Sequence, residues 1–222
     1  IPRTLFFFSL PILMGNVMQT LNVSINSIWV GKFLGEAALS ATANGNTVMF
    51  LLLGVAFGMT MASTILIAQY IGAQRLDQAR KVVGTSASFF LLLAVLFAVA
   101  GAFLAEPILH VMRTPPESVA MAVSYMRVLF LALPISYFYF FIMAALRGAG
   151  DSRTPFIYLV LSVVLDIALN PVFIFGLGIA PAMGIAGSAL ATVVAQTISL
   201  AGLLAHIYRR KNPLVLHRAD LH

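Results

Sequence analysis

Six long stretches almost free of Asp, Glu, Lys and Arg restrict this chain more than any other feature. They run about Leu5–Val30, Asn46–Ile71, Val82–Leu104, Ala120–Leu146, Pro155–Phe175 and Gly184–Tyr208, and only Arg127 and Asp166 interrupt them with a formal charge. A bilayer core of ~30 Å needs roughly 20 apolar residues of helix to cross it, and every stretch is long enough. In lipid the backbone must satisfy its own hydrogen bonds, which leaves helices or a closed barrel. The runs are continuous and show no period of two, so helices are predicted. The expected fold is all-α: a polytopic six-transmembrane-helix bundle over residues 1–208, with a basic tail over 209–222. Composition agrees, since 9% of residues are charged and mean hydropathy is +1.00, against about 25% charged in a soluble domain.

The breaks between spans read as loops. Gly72-Ala73-Gln74-Arg75, Arg113-Thr114-Pro115-Pro116 and Gly148-Ala149-Gly150-Asp151 end the second, third and fourth stretches, and Gly176-Leu177-Gly178 with Pro181 ends the fifth. Alternating sides along the chain puts Arg3, Arg75, Arg80, Lys81, Arg147, Arg153, Arg209, Arg210, Lys211 and Arg218 on one face of the membrane. Lys32 and Arg113 fall on the other. Such a bias marks the cytoplasmic side, so both termini of this segment are expected in the cytoplasm, in a plasma (inner) membrane. The net charge of +6 is thereby read as topology and not as a nucleic-acid surface. Arg209-Arg210-Lys211 is expected to sit beside anionic lipid headgroups.

Polar residues inside the spans carry what functional signal there is. Asp166 lies mid-span, where a carboxylate costs ~2.5–3.5 kcal/mol on insertion scales and therefore faces a bundle interior or aqueous cavity. Ser162, Asp166 and Asn170 are spaced by four, on one helix face, and Pro171 loosens the helix beside them. The first span carries Asn16, Gln19, Asn22 and Asn26; the sixth carries Ser188, Thr192 and Gln196. Such stripes also arise from interhelical hydrogen bonding alone. Asp166 suits either a proton carrier or a Na⁺ ligand completed by oxygens of Asn170, Asn26 and Thr192. Arg127 fits two readings: an interfacial residue snorkelling outwards, or a contact to an anionic substrate. Gln19, Asn22, Tyr137, Tyr139, Ser162, Ser188 and Gln196 are candidates for a substrate cavity.

Several chemistries are not signalled. The chain has no cysteine, no HExxH and no P-loop, and its histidines (His110, His206, His217, His222) lie at span ends or in the tail. No enzyme, metal site or cofactor is expected. Energy for any transport would come from an H⁺ or Na⁺ gradient.

The motifs resemble those of the multidrug and toxic compound extrusion (MATE) transporters. Leu10-Pro11 through Trp29-Val30-Gly31-Lys32-Phe33-Leu34-Gly35 resembles that family's opening helix, and Gln69-Tyr70-Ile71-Gly72-Ala73 the end of its second. The most specific likeness is Leu146-Arg147-Gly148-Ala149-Gly150-Asp151-Ser152-Arg153-Thr154-Pro155, which resembles its loop between helices four and five. Leu169-Asn170-Pro171-Val172-Phe173 and Gly184-Ile185-Ala186-Gly187-Ser188 resemble its fifth and sixth helices. The resemblance implies one lobe, the N-terminal one, of a two-lobe antiporter exporting bulky organic cations in exchange for H⁺ or Na⁺. A C-terminal six-helix lobe would complete it, from the same natural chain or a second subunit. Ile1 is not a natural start, so truncation is the expected case. Proton-coupled members often have Asp where this chain has Asn26, and Asn then Asp where it has Asp166 then Asn170. Distant relatives of the superfamily flip lipid-linked saccharides, and a non-transporting membrane subunit is a further alternative.

Overall fold

A computed structural model describes residues 2–176 and 181–209. The expected tail beyond Arg209, and Leu177 and Gly178 of the fifth break, lie outside the described residues. Six α-helices follow in order: α1 (Pro2–Leu34), α2 (Glu36–Gly72), α3 (Leu76–Val111), α4 (Pro116–Gly148), α5 (Arg153–Phe175) and α6 (Ile185–Arg209). All six are long and apolar enough to cross a membrane. The helices outrun the hydropathy spans at most ends; α2 begins ten residues before Asn46. Hydropathy reports only the apolar layer, whereas Glu36, Ser40 and Asn44 still hold a helix outside it.

Backbone chemistry explains the breaks. Gly35 has φ +87° and alone separates α1 from α2. Gly150, also at φ +87°, follows α4, a conformation that costs glycine little and other residues more. Next to it Asp151 Oδ1 accepts the backbone N–H groups of Arg153 (3.1 Å) and Thr154 (3.0 Å), supplying acceptors that the start of α5 lacks. Gly148 is required by packing: a Cβ there would lie 2.9 Å from the Thr64 carbonyl oxygen on α2. Pro116 opens α4, where a missing N–H costs nothing.

α4 is the hub. It packs against α2, α3 and α6, while α5 pairs with α6 and α1 leans mainly on α5. Small residues on α3 (Ala87, Ala94, Ala98, Gly101, Ala105) are buried, and a Cβ at Gly101 would overlap the Phe130 ring of α4. Close backbone approach of this kind is how helices associate in lipid. Outside, Phe50, Phe57, Leu92, Phe103 and Val111 are exposed, the surface of a protein whose solvent is hydrocarbon. Six helices that each cross the same layer put the start of α1 and the end of α6 on one side. Arg3, Arg75, Arg80, Lys81, Arg147, Arg153 and Arg209 lie at or near the helix ends of that side, hereafter the basic end.

Candidate functional site

Asp166 is 1% exposed and is held by donors from three helices. Its Oδ2 accepts from Asn22 Nδ2 at 2.8 Å and Asn26 Nδ2 at 2.9 Å, both on α1. Its Oδ1 accepts from Thr192 Oγ1 of α6 at 3.0 Å and from Asn170 Nδ2, one turn along α5, at 3.2 Å. Asn170 Nδ2 also reaches Asn26 Oδ1 at 3.0 Å, tying α1 to α5. All four partners are neutral. The carboxyl group is thus held by hydrogen bonds without a counter-charge, and in its ionised form each such bond would contribute about 1.5–3 kcal/mol.

Two atoms of this cage are left over. Asn22 Oδ1 and Asn170 Oδ1 are buried without a hydrogen-bond partner, an arrangement that asks for a reason. Both amides turn their Nδ2 towards Asp166, which leaves these oxygens buried and facing away from it. An amide turned over would present an oxygen to the carboxylate side in place of its Nδ2, which is the chemistry a small monovalent cation there would need. Among the described residues no group of three His, Cys, Asp or Glu side chains forms a metal-binding cluster.

A cavity of about 40 Å³ adjoins the carboxylate, lined by Gln19, Asn22, Tyr139, Leu159, Ser162, Val163, Asp166, Thr192 and Gln196. It is large enough for little more than one water, and its lining holds no Lys or Arg. Ser136 Oγ donates to Gln196 Oε1 at 2.7 Å, bridging α4 and α6 at its wall. Tyr139 is buried and its hydroxyl donates to the Tyr158 carbonyl at 3.3 Å.

The cage therefore unites Asp166, Asn170, Asn26 and Thr192, and adds Asn22, which the sequence suggested only as cavity lining. Gln19, Tyr139, Ser162 and Gln196 line the cavity. Two cavity candidates do not. Tyr137 points to α2, where its hydroxyl donates to the Leu52 carbonyl at 2.7 Å, because neighbouring aromatics on a helix cannot share a face. Ser188 is buried one turn from Thr192, outside the lining, and its carbonyl accepts from Thr192 Oγ1 at 3.3 Å. Arg127 is exposed on α4 and also outside the lining. Tyr125, also on α4, is buried outside the lining and donates to Asn46 Oδ1 at 2.9 Å, tying α4 to α2.

Comparison with known proteins supplies the family. The MatE family model matches residues 11–172. The chain is 38% identical over 212 residues to the probable multidrug resistance protein YoeA of Bacillus subtilis (strain 168), covering 96% of this chain and 46% of that protein. It is 28% identical over 213 residues to the FAD transporter of Shewanella oneidensis, covering 95% and 47%. Among solved structures, a MOP superfamily transporter from Pyrococcus furiosus described by the reverse polarity of its binding pocket superposes with a TM-score of 0.89. It shares 27% identity and covers 99% of this chain and 48% of that one. An outward-facing multidrug resistance MATE transporter gives 0.89 at 26% identity, with coverage of 99% and 48%. The chain spans about half the length of the relatives it matches. With the match running through five of its six membrane helices, this multi-pass protein belongs to the MatE family, whose matched members are transporters and not enzymes.

Proposed function

We propose that the chain is the N-terminal lobe of a secondary active exporter, moving organic cations out of the cell in exchange for H⁺ or Na⁺. The observation that carries this reading is the Asp166 cage: a buried carboxylate with four neutral donors and two spare amide oxygens, beside a cavity without a basic residue. A group that alternately holds an ion and releases it needs this balance, because a permanent counter-charge would neutralise it. Na⁺ would be held by Asp166 and Thr192 Oγ1, with Asn22 and Asn170 supplying oxygen once their amides have turned over; H⁺ would sit on the carboxylate itself. A second lobe, beyond the residues of this chain, would complete the cleft for substrate. The basic end faces the cytoplasm on the positive-inside rule.

A cation fits the sign of this cavity better than an anion. One relative is named as an FAD transporter; FAD bears a pyrophosphate, and such cargo would meet Asp166 with like charge. Replacing Asp166 with Asn in the full-length transporter should abolish gradient-driven efflux of a cationic dye from proteoliposomes. Coupled efflux at the normal rate in that variant would sink the assignment.

A further inference from the structure

The site is asymmetric along the membrane normal. α1 and α5 run away from the basic end, whereas α4 and α6 run back towards it. Every residue lining the cavity lies at the level of Asp166 or on its basic side: Gln19 precedes Asn22 on α1, Leu159 lies about 10 Å before Asp166 on α5, and Gln196 follows Thr192 on α6. No lining residue lies beyond the carboxylate in the other direction.

Two layers of contact lie in that direction. First comes the hydrogen bond from Asn170 Nδ2 to Asn26 Oδ1, at 3.0 Å, joining α5 to α1. Outside it stand three aromatic rings, Trp29 and Phe33 from α1 and Phe175 from α5. Trp29 follows Asn26 by about 4–5 Å of helix and Phe175 follows Asn170 by about 7–8 Å. Trp29 and Phe33 stack with centroids 5.2 Å apart, and Phe175 meets both edge-on, at 6.2 Å and 5.2 Å. Aromatic residues also gather as belts at membrane interfaces, and Phe33 and Phe175 are 49% and 39% exposed at this end of the bundle. These interlock across two helices, and they do so on α1, the least buried helix in the bundle.

We infer that the Trp29–Phe33–Phe175 cluster, with the Asn26–Asn170 bond beneath it, is a gate between the Asp166 site and the membrane face opposite the basic end. A coupling ion crosses on that side only when the rings part. An apolar constriction of this kind blocks an ion by excluding the water it needs. The inference takes the ion and its site from the proposed function, but the closure itself can be measured without transport.

Because this chain has no cysteine, Ser162→Cys places one small reporter in the cavity wall, once any cysteines elsewhere in the full-length transporter are replaced. A membrane-impermeant methanethiosulfonate would be applied to sealed vesicles of either orientation. Modification should be faster from the basic face, by about tenfold or more if the gate is open only a minor fraction of the time. Removing rings with Phe33→Ala and Phe175→Ala should raise the rate from the opposite face by about tenfold and leave the basic-face rate unchanged. If the basic-face rate collapses, showing that the double variant has not folded, Phe33→Leu alone decides, with a smaller rise on the opposite face only. Equal rates from both faces at the outset, or no rise on removing rings, would overturn the gate. Loss of efflux in Asp166→Asn leaves these labelling rates free to give either answer, so the two proposals fail separately.

Discussion

At the residue scale the chain concentrates its chemistry on one oxygen pair. Asp166 Oδ1 takes a hydroxyl from Thr192 and an amide from Asn170, while Oδ2 takes two amides from α1. Thr192→Val keeps the shape and deletes one donor, and a hydrogen bond to a charged group is worth about 1.5–3 kcal/mol. The apparent affinity for the coupling ion should therefore shift by about tenfold or more, since ~1.4 kcal/mol is a factor of ten; ion-dependence curves of efflux in proteoliposomes would show it. Tyr137→Phe is the contrast. It removes the donor to the Leu52 carbonyl, away from the cavity, and should lower thermal stability in detergent by about 1 kcal/mol with the substrate KM unchanged. A changed KM with unchanged stability would place Tyr137 in the cavity after all. The spacing of Ser162, Asp166 and Asn170 made their shared face legible in the sequence. Pairing Asp166 with Asn22 was not legible, because those partners are 144 residues apart.

At the element scale, small residues decide how closely the helices approach. Gly101 lies against Phe130 and Gly148 against the backbone of Thr64, but a Cβ added at Gly54 or Gly58 would meet nothing within 4 Å. Gly101→Val should thus destabilise the α3–α4 contact by about 1–3 kcal/mol through overpacking, seen as a lowered Tm in detergent. Gly54→Ala should stay within about 1 kcal/mol of the parent and, by its better helix propensity, fall on the stabilising side. Equal Tm losses in both would contradict the packing. The helices themselves could be read from the chain, because lipid allows few alternatives to them. Their ends could not, since Glu36 to Gly45 continues α2 beyond the apolar layer. A polar segment in water carries no hydropathy signal that separates helix from loop.

At the scale of the whole molecule, orientation matters most. Cysteines placed at Gln74, in the α2–α3 turn, and at Gly35, between α1 and α2, should react with an impermeant thiol reagent from opposite faces. Gln74→Cys should react from the cytoplasmic side; the reverse pattern would invert the proposed topology and with it the direction of the gate. The number of spans, their helical state and the bias of charge towards one end followed from sequence alone, because hydrocarbon imposes its demands on every residue locally and a count of apolar runs suffices. The family resemblance rested on short motifs whose roles are likewise local: Gly150 and Asp151 shape the entry to α5 within a few residues. Only tertiary structure decided which polar stripes meet. It turned Tyr137 to α2 and Tyr139 to the cavity, brought Asn22 onto the carboxylate, and set rings of α1 and α5 against one another. Those outcomes depend on how each helix is rotated against its neighbours, and that rotation is set by packing over the whole bundle.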